Sequence, residues 1–495
     1  MEWQYFLAYS IIILFFTVFI FQSKSRASNR NRLPPGPRGW PVVGHMFNLG
    51  TAPHRTIAHL QPRYGPVVWL KLGSLNTMAV LTAEAAAELF KNHDLSFADR
   101  SIVQTMTAHG YHHGSLALAP HGPRWRVLRR LCTAEMFASK RINETAGIRR
   151  RCVDHMLSWI GKAGGDGNGI AVGKYAFLAA FNMLGNLMMS EDLVDPESET
   201  GTEFYGAMKR VMEWSGKPNV SDLFPWMKWI DLQGLKRKAN RDMGIAFGIV
   251  KEWMQRRRGE GDHDHDHERD FLDVLLEFDG CDWDSGKLSE TEIIIFILEM
   301  FLAGTETSSS TIEWAMTELL RNRGAMSKAK SEISSITGKF EENHIDHLPY
   351  LQAVVKETLR LHPPIPFLIP RRAIRDTSFM GYLVPKNTQV LVNVWAIGRD
   401  PECWEDALCF KPERFLGTNT DYRGQHFELI PFGAGRRVCA GLPLGHRMLH
   451  FVLGSLLHEF DWEPQTSLAL DMNERMGITV GKLYPLKAMP TKQFH

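Results

Sequence analysis

The hydrophobic pattern opens with an almost unbroken apolar run, Trp3 to Phe21, in which Gln4, Ser10 and Thr17 are the only clearly polar members. About 20 such residues span a bilayer. Lys24, Arg26, Arg30 and Arg32 follow, while Met1-Glu2 carries no base, so the positive-inside rule expects an anchor at 1–23 with the body in the cytosol. The missing basic n-region and cleavage site argue against a removed signal peptide. Leu33-Pro34-Pro35-Gly36-Pro37-Arg38-Gly39 makes 24–40 a basic, proline-stiffened hinge before a body at 41–495.

Within the body the period changes. Val67–Leu72 and Thr77–Thr82 read as a hairpin around Gly73-Ser74-Leu75-Asn76, and Ala83–His93 as a helix. Ser101–Leu116 has no clean period and reads as a mobile loop at a substrate entrance. Its His109, His112 and His113 have no carboxylate or cysteine to complete a metal set. Pro123–Leu131 is a basic helix, and residues 148–268 are mostly helical, with Trp214, Phe224, Trp226 and Trp229 as core or membrane-contacting positions. Ser289 and Glu292 form a capping box, opening one helix to about Arg321, roughly 50 Å long. Ile293, Ile294, Ile297, Met300 and Phe301 make it too apolar for a surface. Leu351–His362 is a short helix ended by Pro363-Pro364, and a last helix starts at Leu442. The pattern is mainly α with small β-sheets.

Composition narrows this little. The 495 residues are 44% hydrophobic with net charge +2, too small to call for nucleic acid. Neither a repeat nor a low-complexity linker divides the body. The six cysteines have no CxxC spacing, so five read as free thiols in a reducing compartment. The Asp/His alternation at Asp262–Glu268 suits a solvated loop.

The sixth cysteine carries the chemistry. Cys439 lies in Pro431-Phe432-Gly433-Ala434-Gly435-Arg436-Arg437-Val438-Cys439-Ala440-Gly441, just before a helix N-terminus. Gly433 and Gly435 permit positive φ, and Gly441 permits close approach of something flat. Arg436, Arg437 and the helix dipole favour a thiolate. A lone thiolate in such a turn is a poor zinc site and suits one axial ligand of a haem iron. Trp125 and Arg129, at i and i+4, share a face that can clamp a carboxylate. Arg124, Arg126 and Arg130 then point elsewhere, toward an acidic redox partner. Ala303-Gly304-Thr305-Glu306-Thr307 sets a buried acid beside a hydroxyl in a poor helix former, suited to proton delivery, with Gly304 opening room for a ligand. Glu357 and Arg360 share a helix face, and Phe410-Lys411-Pro412-Glu413-Arg414-Phe415 offers a second arginine.

These motifs, in this order, resemble the cytochrome P-450 superfamily across essentially the whole chain. The turn matches Phe-x-x-Gly-x-Arg-x-Cys-x-Gly, and Trp125-x-x-x-Arg129, Ala303–Thr307 and Glu357-x-x-Arg360 match the family's other elements. The resemblance implies the P-450 fold behind a transmembrane helix. It implies haem b with Cys439 as iron ligand and Trp125, Arg129, Arg371, Phe432, Arg437 and Gly441 as cofactor contacts. The choice between Arg371 and Arg372, and between Arg436 and Arg437, stays open. It implies a proton relay of Glu306 and Thr307, a structural lock of Glu357, Arg360 and Arg414, and a chamber that includes Ala303, Ile365, Phe367 and Ile478. The implied electron source is NADPH through a membrane-bound reductase, and the implied location is the endoplasmic reticulum, single-pass and facing the cytosol.

At finer grain, Tyr350–Pro364, Trp395–Pro401 and Gly441–Met448 resemble the plant family of geraniol hydroxylases, ferruginol synthases and iridoid oxidases. A monoterpenoid or iridoid is therefore the first substrate expectation, with phenolic, fatty-acid or xenobiotic substrates as alternatives. A reductase-independent haem-thiolate isomerase is a further alternative, opposed by the Glu306-Thr307 pair. A non-catalytic haem binder is opposed by the intact motifs.

Overall fold

The computed structural model describes residues 32–164, 169–196, 202–259, 269–280, 286–465 and 470–493. The expected anchor at 1–23, the hinge up to residue 31 and Asp262–Glu268 lie outside them.

Strands β1 (Val67–Leu72) and β2 (Leu75–Val80) pair antiparallel, with Val67 opposite Val80. Their turn is only Gly73-Ser74, tighter than expected, because Leu75 and Asn76 keep pairing while Gly73 takes φ +59°. Helix α1 (Ala83–Asn92) is capped by Thr82, whose side chain accepts from the Ala85 N–H. Strand β3 (Asp99–Arg100) follows, then α2 (Pro123–Leu131), α3 (Ala146–Gly164), α4 (Val172–Met189), α5 (Thr202–Gly216) and α6 (Leu235–Gly259). The chain continues through α7 (Glu290–Gly304), α8 (Glu306–Arg321), α9 (Pro349–Leu361), β4 (Arg371–Arg372), β5 (Gln389–Val392) and α10 (Leu442–Glu459). The sheet runs β1-β2-β5-β4-β3, with β2 and β5 parallel and the other pairs antiparallel.

The core is helical. Every residue from Ile293 to Phe301 is buried; α7 packs on α4, where Phe181 meets Phe301, and its apolar residues share one hydrophobic core with those of α10. Each apolar side chain among them contributes about 1.5–3 kcal/mol on burial. Together α7 and α8 (Glu290–Arg321) are long and apolar enough to suggest a membrane span, but 72% of the apolar stretch is buried inside the protein. The capping box at its start is present, with Ser289 and Glu292 bonded reciprocally.

Two expectations change. The long helix is two, because Thr305 and Thr307 bond back to the carbonyls of Phe301 (2.7 Å) and Ala303 (2.6 Å), and the regular ladder breaks at Thr305. Ser101–Leu116 is not an open loop. It forms a 3-10 turn at Gln104–Gly110, kinked at His109 (φ +48°), then a short helix Tyr111–Gly114 that packs on Ile295. In the described part of the proline-rich stretch, the Pro35 carbonyl accepts from the Trp69 N–H of β1 at 2.8 Å.

Candidate active site

Gly433 and Gly435 take φ +72° and +69°, and a Cβ on Gly435 would strike the Asp94 carboxylate at 2.8 Å. The Cys439 N–H donates to the Phe432 carbonyl at 2.9 Å, closing the turn. Cys439 Sγ accepts from the N–H groups of Gly441 and Leu442 at the start of α10. Burial pushes this thiol up, and those N–H groups and the Arg129 charge pull it back. Cys439 as a residue nevertheless has accessible surface. A buried group with accessible surface faces an internal space. A Cβ on Gly441 would meet only ordinary contacts, 3.7 Å from Phe137 and 3.9 Å from the sulfur. No protein neighbour therefore demands that glycine. Among the described residues Cys132, Cys152, Cys403 and Cys409 are free thiols.

The charge near the sulfur is not the one expected. Arg436 turns to Asp94 (3.2 Å), and Arg437 donates to the carbonyls of Ala98, Leu116 and Ala119 at 3.0, 3.2 and 2.6 Å. Arg129, from α2, acts on Cys439. Trp125 sits beneath Arg437, whose guanidinium lies 4.2 Å from the ring, and the indole N–H donates to the Leu116 carbonyl at 2.9 Å. Arg371 is buried on Phe90 and bonds Asp94 at 2.7 Å, while Arg372 pairs with Asp99. Arg100, which the motifs did not indicate, joins them, bonding the carbonyls of Ala117 and Ile369. Burial and then the neighbouring guanidinium charges lower Arg100, and the same causes push Arg437 down to about 10. Arg124 is not free for a partner, because Glu292 holds it with two 2.6 Å bonds.

Across the site, Ala303 is exposed near the C-terminal end of α7, just past its buried run. Glu299, one turn earlier, and Cys439 both act on Cys132, so this helix and the thiolate turn flank one region. Gly304 opens no room for a ligand: a Cβ there would sit 2.9 Å from Leu184, so it lets α4 come close. Thr307 donates to Ala303, and Glu306 bonds Thr479 rather than Thr307. Burial raises the Glu306 carboxyl, opposed by Arg475, Thr479 and Lys209. Ile478, beside Thr479, is pinned where the loop passes Gly216 with 2.8 Å clearance for a Cβ. Ile365 is half-buried, and Phe367 packs on the Ile57–Leu81 cluster, edge-on to His54.

Glu357, Arg360 and Arg414 meet. Arg360 Nε and Nη2 donate to Glu357 at 2.6 and 2.7 Å, and Arg414 Nε donates at 3.0 Å. Arg360 also holds the carbonyls of Gly398, Ala407 and Cys409.

Comparison with known proteins decides what this arrangement is. The family model "Cytochrome P450" matches residues 34–486. The chain belongs to the cytochrome P450 family. It is 57% identical to Cytochrome P450 76A2 of Solanum melongena, over 99% of each chain. It is 47% identical to an iridoid oxidase and 40% identical to a geraniol 8-hydroxylase, both of Catharanthus roseus, covering 97% of this chain and 96% and 98% of theirs. A zebra fish cytochrome P450 structure with progesterone superposes with TM-score 0.76 at 25% identity, over 89% of this chain and 99% of that one.

The fold is thus the cytochrome P450 fold, and the enzyme is a monooxygenase that uses haem b and electrons from NADPH through a reductase. The residues present fit that cofactor. Arg100, Arg129, Arg371 and Arg437 gather by the thiolate turn with Asp94 and Glu299 as nearby buried acids, an excess of positive charge suited to two propionates. Arg129 makes no side-chain hydrogen bond among the described residues, which leaves its fork to offer. Haem b supplies oxygen activation at its iron when bound.

Sequence reasoning missed Arg100, Asp94 and Glu299. Glu299 had a signal, a lone acid in an otherwise apolar run; Asp94 had none.

Proposed function

We propose that this cytochrome P450 oxidises a small lipophilic plant metabolite, a monoterpenoid or iridoid, at a C–H bond. One atom of O2 enters the product as a hydroxyl and the other leaves as water, with two electrons from NADPH and two protons. The observation that carries the substrate class is likeness to relatives named iridoid oxidase and geraniol 8-hydroxylase over nearly the whole chain. Repeated oxidation of one methyl is compatible with it.

In this reading Cys439 binds the iron, with Phe432 and Gly441 beside it. Arg129 and the remaining N–H groups of Arg437 and Arg371 hold the propionates, while Trp125, its one N–H given to the Leu116 carbonyl, contributes to the cofactor site by supporting Arg437 with its ring. Glu306, its carboxyl raised by burial and bonded to Thr479, is the proton source, and Thr307 passes the proton on once the two side chains turn from Thr479 and the Ala303 carbonyl toward each other. Glu357, Arg360 and Arg414 act as a lock and not in chemistry. Ala303, Ile365, Phe367 and Ile478 shape the chamber. Residues 1–23 anchor the chain in the endoplasmic reticulum, 24–40 form the hinge, and 41–495 form one catalytic domain facing the cytosol. Trp226 and Trp229, 67% and 84% exposed, suit contact with lipid. Arg126 and Arg436, both exposed, suit an acidic reductase.

The test is a titration of the full-length haem protein with monoterpenols, iridoids, fatty acids and simple phenols, following the Soret shift and then products with reductase. Saturation by a monoterpenol or iridoid at concentrations at least tenfold below the others, with a hydroxylated product, supports the reading. Preference for a fatty acid or phenol sinks it.

A further inference from the structure

Glu299 is a carboxylate 3% exposed in the apolar half of α7. It accepts from three successive residues: the Ser115 hydroxyl, the Leu116 N–H (2.5 Å) and the Ala117 N–H (2.9 Å). The Ser115 hydroxyl also accepts from the Leu118 N–H at 3.0 Å. A carboxylate offers about four acceptor sites, and three donors from one tripeptide leave that tripeptide one conformation.

The decisive feature is the peptide between Leu116 and Ala117. A trans peptide points its C=O and N–H in opposite directions. The Ala117 N–H faces Glu299, while the Leu116 carbonyl accepts from Trp125 Nε1 at 2.9 Å and Arg437 Nη1 at 3.2 Å. One peptide plane therefore ties α7 to an indole and a guanidinium that come from α2 and the thiolate turn.

We propose that Glu299 is a positioning residue for the cofactor: by fixing the Leu116–Ala117 peptide it holds the Trp125 indole beneath Arg437 and aims the two N–H groups that Arg437 leaves uncommitted at the haem propionates. This rests on the cofactor reading above. Gln fills the same volume but turns an NH2 toward at least one of the donors, so the bracket opens without a cavity.

The experiment compares full-length wild type with Glu299→Gln, Ser115→Ala and Glu342→Gln. The last disturbs another hydrogen-bonded carboxylate outside the site, Glu342, paired with the buried Arg149. Each ferric haem protein is mixed with apomyoglobin to read haem transfer, and amide exchange is read over 115–119. Glu299→Gln should lose haem at least tenfold faster with faster exchange at 115–119, and Ser115→Ala a few-fold faster. Glu342→Gln should match wild type in both. Equal acceleration in Glu299→Gln and Glu342→Gln would reduce Glu299 to general packing and overturn the proposal. Haem transfer in Glu299→Gln within twofold of wild type would overturn it as well. A wild type without a haem-thiolate band would instead overturn the cofactor reading beneath it. Should Glu299→Gln not fold, Ser115→Ala decides by the same two readouts.

Discussion

Behind the thiolate turn, Glu357 accepts four hydrogen bonds and Arg360 donates five, all from groups inside the protein. The wall expected to meet substrate is made differently. It combines the kinked turn at 104–110, the buried Phe204, Met208 and Met212 of α5, which packs on that turn, and a bend at 476–480 held by Ser310 on the Val480 carbonyl, by the Val480 N–H on the Pro364 carbonyl and by Glu306 on Thr479. Charged groups buried in a closed network have few alternatives, because losing one partner strands the others. Methionine and phenylalanine packing exchanges at modest cost when volume is kept. One side can therefore stay constant for oxygen chemistry while the other is re-cut for substrate.

The largest effect that would break this comparison is at the lock. Glu357→Leu should cost about 3–5 kcal/mol by leaving Arg360 and Arg414 buried without their acid, whereas Met208→Leu should cost less than about 1.5 kcal/mol. Urea unfolding of both variants checks it, and similar losses in the two would erase the distinction.

Next is Thr307→Ala. It removes only one side-chain bond, to Ala303, so the fold should hold. Product per NADPH should fall by roughly 10²-fold, the low end of general acid–base contributions, with the difference appearing as peroxide. Tightly coupled product formation would remove Thr307 from the proposed relay.

A smaller effect concerns pH. His446 accepts from or donates to Tyr422 at 2.6 Å and His450 bonds the His446 carbonyl at 2.6 Å. Burial, then neighbouring positive charge, depresses these imidazoles to about 4 and about 3. The unfolded chain binds the extra protons below about 6.5. Stability should therefore be full above that pH and fall as pH drops toward 4, by about 1.4 kcal/mol per unit for the buried His450. His450→Leu should flatten that slope, and an unchanged slope would assign the loss to other groups.

The smallest is Trp229→Ser on the exposed rim, which should leave stability within about 0.5 kcal/mol. Flotation with liposomes should show weaker binding. Unchanged flotation would detach this tryptophan from the lipid reading.

Legibility followed the same divide. The glycines at 433 and 435, the capping box at Ser289 and Glu292, and the shared face of Glu357 and Arg360 were readable, because each depends on neighbours within a few residues. The break at Thr305 was not read, since Ser and Thr back-bonding competes with a strongly apolar helix pattern that continues on both sides. The targets of Arg436 and Arg437 were misread because charge was counted by sequence proximity, whereas Asp94 and the Ala98, Leu116 and Ala119 carbonyls lie more than 300 residues away. Gly304 was credited with making room for a ligand, when the space goes to Leu184. Only tertiary structure supplies such partners.

The central claim is that Cys439 is the thiolate ligand of a haem held by the buried guanidinium cluster. The reduced carbon-monoxide difference spectrum of the full-length protein, beside Cys439→Ser, tests it most directly. The account predicts a strongly red-shifted Soret band in the wild type that Cys439→Ser loses. A wild-type band like that of a histidine-ligated haem, or a red-shifted band that survives in Cys439→Ser, would contradict it.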